Sequence, residues 1–377
     1  MMTLFHRFSG LLVTLVVLIC LSGCGGDDRP RKTGDAPSPA TVKAAIEGEW
    51  ETVWLNLSRS SSNPDDIGLM LLDLAAKATS RGFSPEFAFD TVSADAPQRR
   101  WLSFTDSLLQ AHPDDPEVLL MAADAAARMA RFSRARDLFD QALEVDSTMA
   151  LAYSSRGAVN LALSRPDAAL KDFGKAMDLD PTLAQPWLNR ANVQRKRGNF
   201  DEALSDYDHV IELAPDHAVA YNNRGETYRQ IGELEQALAD YSQAIEVDPQ
   251  MQVAYNNRGL VHAKMGQYEL ALNDYDRALA IDSGYVPAYY NRGIAWFLSG
   301  AFEQAIQDYR TTVELDSTNF QAWYNLAMAY EKTEKTDSII VALQHFIDHA
   351  PAAHEEYVHR ARVRINQLTK DSPNSQQ

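Results

Sequence analysis

Small, aromatic and helix-breaking residues recur through the middle of this chain at a fixed interval of 34 residues. Stepping by that interval from Gly225 gathers Ala123, Gly157, Ala191, Gly259, Gly293 and Ala327 in one column. A second small column holds Ala135, Ala169, Ala203, Ala237, Ala271 and Ala305, with aromatic residues four places on at Phe139, Phe173, Tyr207, Tyr241, Tyr275 and Tyr309. Ala142, Ala176, Ala244 and Ala278 follow three places later, so each set marks one face of a helix. Gly198, Gly232, Gly266 and Gly300 precede that helix and predict the end of an earlier one, because a left-handed backbone costs least in glycine. Pro181, Pro215, Pro249 and Pro351 predict the end of the second helix, since proline lacks an N–H and clashes with the preceding turn. The unit is therefore helix A, turn, helix B, repeated over 116–149, 150–183, 184–217, 218–251, 252–285, 286–319 and 320–353. One such pair cannot bury its own apolar face, so the pairs must stack.

The pattern resembles the tetratricopeptide repeat, carried in the fourth copy by Tyr221, Gly225, Tyr228, Ala237, Tyr241, Ala244 and Pro249. That resemblance implies an all-α fold, a right-handed α-solenoid of about seven helix pairs whose concave wall receives a protein or extended peptide. One letter departs from the family: an arginine stands where leucine is usual. Arg156, Arg190, Arg224, Arg258 and Arg292 each lie 16 residues before an aspartate, at Asp172, Asp206, Asp240, Asp274 and Asp308. The outer copies lack both partners together, with Ala122 and Leu138 at one end and Leu326 and Ala342 at the other. Such pairing predicts contact between helices A and B: a structural ladder of partly buried ion pairs. The alternative is an array of arginines that reads an acidic ligand.

The family's ligand positions on helix A, carried over, give a polar and basic half and an apolar half. The first is Arg128, Asn192, Arg195, Lys196, Asn222, Glu226, Arg229, Asn256 and Lys264; the second is Leu260, Tyr290, Ile294, Phe297, Leu298, Tyr324 and Met328. Together they imply a ligand with an acidic part and a hydrophobic part. The alternative for the apolar half is packing against a neighbouring or capping helix. The family's carboxylate clamp does not fit. Asn192 and Asn223 occupy its asparagine positions, but Leu188, Val253 and Asn257 stand where its cations belong.

The ends read differently. Residues 354–370 predict a C-terminal capping helix with apolar positions at Tyr357, Ala361, Val363, Ile365 and Leu368, and 371–377 a disordered tail. Residues 41–115 are helical in pattern without a clean repeat, as a degenerate pair capping the other end would be. At the N-terminus, Arg7 precedes an apolar run from Leu11 to Leu21 that is too short to span a bilayer and suits a secretory signal. The run ends in Leu21-Ser22-Gly23-Cys24, which resembles a bacterial lipobox. The resemblance implies a signal peptide over 1–23, acylation with palmitate at Cys24, and a place in the cell envelope, with Gly25 favouring the outer membrane. Residues 24–40, rich in Gly, Pro and charge, predict a flexible tether. The other cysteine, Cys20, falls inside the signal, so no disulfide is expected.

The formal net charge of −17 makes nucleic acid and anionic lipid surfaces poor partners, leaving the lipid anchor as the expected membrane contact. Catalytic patterns are missing: no Gly-rich phosphate loop, no paired cysteines, no nucleophile elbow. His354 and His359 in "HEEYVH" are five apart, hence about 140° apart around a helix, and cannot grip one ion. His345 and His349 have the right spacing but no third ligand. The expectation is a scaffold with no cofactor, no metal and no small-molecule substrate. A self-assembling structural component and a metal-dependent hydrolase are the alternatives.

Overall fold

The structure, a computed structural model, describes residues 105–106, 109–110 and 112–371. The signal peptide, Cys24, the tether, most of 41–115 and residues 372–377 lie outside the described residues. The chain divides into two compact units, Met1–Leu179 and Asp180–Gln377. The first contains α1 (Pro116–Arg128), α2 (Phe132–Val145), α3 (Ala150–Ala162) and α4 (Pro166–Leu179). The second contains α5 (Ala184–Arg197), α6 (Phe200–Leu213), α7 (Ala218–Ile231), α8 (Leu234–Val247), α9 (Gln252–Lys264) and α10 (Tyr268–Ile281). It continues through α11 (Val286–Leu298), α12 (Phe302–Leu315), α13 (Phe320–Lys332), α14 (Thr336–His349) and α15 (Glu355–Asp371), the last preceded by a 3-10 turn at Ala352–His354. Within each unit every helix packs on the next, and the described residues contain no strand. The fold is all-α, built from helix pairs.

The columns meet where the helices of a pair cross. Phe139, Phe173, Tyr207, Tyr241, Tyr275 and Tyr309 are all fully buried. Each ring lies on bare or nearly bare backbone of helix A. A Cβ placed on Gly259 would sit 2.8 Å from Tyr275 Cε1, and one on Gly157 only 2.5 Å from Phe173 Cε1. The small column therefore sets the spacing that the aromatic column fills.

The turn after helix A has a left-handed residue in all seven copies. Gly198, Gly232, Gly266 and Gly300 have φ of 80°, 91°, 74° and 84°. Ala130, Ser164 and Glu334 hold the same register at 55°, 58° and 57°, where a side chain is strained. After Gly198 the chain closes on itself, Gly198 N–H donating to Arg195 O at 3.0 Å and Asn199 N–H to Gln194 O at 3.0 Å.

Proline is not what ends every helix B. Asp146, Asp180, Asp248, Asp282 and Asp316 each accept the backbone N–H two residues on, at 2.8 to 3.0 Å. These Asx turns stop the helix whether or not proline follows.

The capping helix turns inward at three of the five expected positions, Ala361, Ile365 and Leu368, but not at Tyr357 and Val363. Ala361 and Leu368 are buried in the terminal core beside Leu326 and Phe346, with Val358 and Ile365 packed against them. Tyr357 and Val363 are exposed. Positions 358, 361, 365 and 368 keep the spacing of one helical stripe, which Tyr357 and Val363 do not share.

Candidate partner-binding face and its ion pairs

The repeated arginines reach the repeated aspartates. In Arg156, Arg190, Arg224, Arg258 and Arg292, Nε donates to one carboxylate oxygen of Asp172, Asp206, Asp240, Asp274 and Asp308 at 2.7 to 3.0 Å. Nη2 donates to the other oxygen at 2.5 to 2.7 Å. The carboxylates are buried and the guanidiniums half-buried, so each pair is bidentate and mostly dry. Nη1 of Arg156, Arg224 and Arg292 also donates to the preceding helix B, at Asp140, Asp208 and Asp276, over 2.6 to 2.7 Å. Each guanidinium further rests on an aromatic ring three residues back, Tyr153, Trp187, Tyr221, Tyr255 or Tyr289, 5.1 to 5.7 Å from its centre. The hydrogen bonds that Arg224 and Arg292 donate to Asp240 and Asp308 hold the arginine pKa above its ordinary value against the opposing effect of burial.

The asparagines have internal work. Asn223 Nδ2 donates to Asn192 Oδ1 at 3.1 Å, Asn257 Nδ2 to Asn222 Oδ1 at 3.1 Å, and Asn291 Nδ2 to Asn256 Oδ1 at 2.9 Å. Successive A helices of the second unit are thus laced side chain to side chain. Asn222 and Asn256 are only 6% and 4% exposed, which corrects their placement as open groove positions: burial between helices leaves little of them to touch a ligand.

The basic positions differ among themselves. Arg128 pairs with Asp124 at 2.6 Å. Arg229 is bidentate to Glu226, Nε to Oε2 at 2.8 Å and Nη2 to Oε1 at 2.6 Å, and Tyr241 Oη donates to the same carboxylate at 3.1 Å. Burial raises the Glu226 pKa, but Arg229, Gln230 and Tyr241 outweigh it and hold it below its ordinary value. Lys196 and Lys264 are exposed at the ends of α5 and α9. Arg195 is half-buried, and its Nε–H is buried with no acceptor.

The apolar half is largely turned into packing. Tyr290, Ile294, Phe297 and Tyr324 pack on the terminal core. Phe297 meets Phe302 edge-on at 5.3 Å, and Tyr324 meets Tyr357 of the capping helix at 5.8 Å. Met328 is half-buried, and Leu298 is left exposed. For these four aromatic and aliphatic side chains the open-slot reading gives way to internal packing, because the following helices cover them. Two shallow surface depressions, on α12 around Gln307 and between α5 and α6 around Gln194, are lined by none of the expected groove residues.

His345 stacks on Trp323 with ring centres 4.2 Å apart, and His349 Nδ1 lies 2.8 Å from the carbonyl oxygen of His345. Among the described residues no cluster of three metal-binding side chains occurs.

Comparison with known proteins agrees with this architecture. Family models described as tetratricopeptide repeat match residues 120–184, 182–250 and 253–285, and one described as TPR repeat matches 295–333. No curated protein sequence matches the chain. Among solved structures, the Cut9–Hcn1 hetero-tetramer of the APC/C is 16% identical, with a TM-score of 0.54 over 84% of this chain and 66% of that one. PilW, a type IV pilus biogenesis factor, is 17% identical, with a TM-score of 0.51 over 58% of this chain and 98% of its own. PilF of Pseudomonas aeruginosa is 16% identical, with a TM-score of 0.50 over 60% of this chain and 99% of its own. At these identities the likeness is one of fold.

Proposed function

From the premise that this chain belongs to the tetratricopeptide repeat family, we propose that it is a non-enzymatic adaptor, held in a bacterial cell envelope by a lipid on Cys24. It gathers a protein or extended peptide on the A-helix face, in the service of secretion, pilus, outer-membrane or cell-wall assembly. Signal sequence, lipobox and tether at the N-terminus support the anchored part. The observation that carries the binding part is the adjacent Arg195 and Lys196 on α5. In a chain of net charge −17, cations are readily neutralised from within, as Arg128 and Arg229 are. Arg195 keeps a buried N–H without an acceptor instead. Anchoring concentrates the adaptor on a surface, so modest affinity at the groove suffices.

Crosslinking in native envelopes tests it. Wild type should give discrete crosslinked species that are lost in Arg195→Glu with Lys196→Glu, and unchanged crosslinks would count against this face. Labelling with a palmitate analogue should mark wild type and spare Cys24→Ser.

A further inference from the structure

Two successive repeats of the second unit build related polar clusters around an arginine and a tyrosine, with Glu226 and Gln230 of one replaced by Asn192 and Lys196 in the other. In the fourth repeat the cluster centres on Arg229, Tyr241 and Glu226, the carboxylate accepting from both of the others. One repeat earlier the same positions hold Arg195, Tyr207 and Asn192. Tyr207 Oη donates to Asn192 Oδ1 at 2.6 Å, as Tyr241 does to Glu226, so the tyrosine's role is unchanged. Arg195 lies against the Tyr207 hydroxyl, whose pKa burial raises and Arg195 opposes. What Asn192 cannot supply is the negative charge, and the Nε–H of Arg195 is left buried without an acceptor. An amide oxygen already taken by Tyr207 and by Asn223 Nδ2 has little left to offer a guanidinium.

We propose that Arg195 is a receptor for a carboxylate brought by the partner, which takes the place that Glu226 fills in the next repeat. The site rests on the peptide-binding reading above and gives it a chemical class. The ligand carries a carboxylate, from an Asp or Glu side chain or from a chain terminus, laid along α5. The geometry to be met is that of the neighbouring repeat, where a planar carboxylate takes two parallel N–H bonds from Arg229, with Tyr241 and Gln230 also donating to it. At Arg195 the guanidinium supplies the bonds, the Tyr207 O–H staying on Asn192. Charge repulsion by the acidic body disfavours stray anions, so occupancy calls for a ligand that gains contacts elsewhere on the wall.

The test is the 15N–1H resonance of Arg195 Nε in arginine-labelled full chain, titrated with sodium acetate against sodium chloride at equal ionic strength. A saturable downfield shift with acetate alone, absent at Arg229, is expected. N-acetyl-aspartic amide, which offers only a side-chain carboxylate, and N-acetyl-alanine, which offers only a terminal one, then show which source fits. Asn192→Glu should abolish the response by closing the site from within, and should raise the thermal midpoint, whereas Asn192→Asp is too short to close it and should keep the response. Equal shifts with acetate and chloride, or a full acetate response in Asn192→Glu, would overturn the assignment. The outcome separates from that of the envelope crosslinks: crosslinks lost in the double charge reversal with no acetate response would keep the adaptor and remove this site.

Discussion

Arg224 and Asp240 face each other across the α7–α8 crossing as a parallel fork, Nε to Oδ2 at 2.8 Å and Nη2 to Oδ1 at 2.6 Å. Removing the cation alone strands a buried carboxylate. Arg224→Leu should therefore cost about 3–5 kcal/mol of unfolding free energy. The outer copy shows the alternative, with Leu326 and Ala342 at the two positions, both buried. Arg224→Leu with Asp240→Ala should recover most of the loss. Urea denaturation of the four corners of this cycle checks both statements, and additive losses would mean that the pair is not coupled.

Tyrosine hydroxyls in the core are unequal. Tyr241 Oη donates to Glu226 at 3.1 Å, whereas Tyr275 Oη is buried with no partner because Leu260 stands where Glu226 would. Tyr241→Phe should cost about 1 kcal/mol and Tyr275→Phe should be neutral or stabilising by a similar amount. Thermal melts of the two variants decide the sign.

Left-handed turns give another opposed pair. Ser164→Gly relieves a side chain held at φ 58° and should stabilise by about 1 kcal/mol. Gly232→Ala, at φ 91°, should destabilise by at least about 1 kcal/mol. Chemical denaturation measures both.

Acid should weaken the fourth repeat through Glu226. Its pKa is lowered in the folded chain, so its contribution is whole above the ordinary glutamate range near about 4.3 and fades as pH falls through the lower folded value. Between pH 6 and 3, chosen as roughly spanning that window, Glu226→Gln should lose less stability than wild type. Melting curves across the range check it.

Much of this architecture is legible in the sequence. The columns at 34-residue spacing fix which residues bury, since each tests the same environment again, and the joint loss of Arg and Asp in the outer copies foretells their contact. Less readable was how completely the fold would use its own polar groups. Asn222 and Asn256 look like groove residues because their helix positions are right, yet the lacing partner on the next A helix depends on how closely the helices approach. Tyr324 likewise looks open until the capping helix brings Tyr357 to it. The Asx turns had a signal, an aspartate column at 146, 180, 248, 282 and 316, hidden behind the more conspicuous prolines. The contrast between Asn192 and Glu226 was equally visible in the letters but had no meaning until Arg195 and Arg229 were seen to differ in what they grip.

Because Arg224 and Arg292 each hold an aspartate behind them and one ahead, at Asp208 and Asp240 and at Asp276 and Asp308, three consecutive helices share one charged knot. A repeat peeled from the end of such an array would have to break the guanidinium's bond to the exposed aspartate of the repeat before it while the buried fork within the repeat stays whole. Under tension the second unit should accordingly yield in stretches longer than one repeat, each released when a knot is cut.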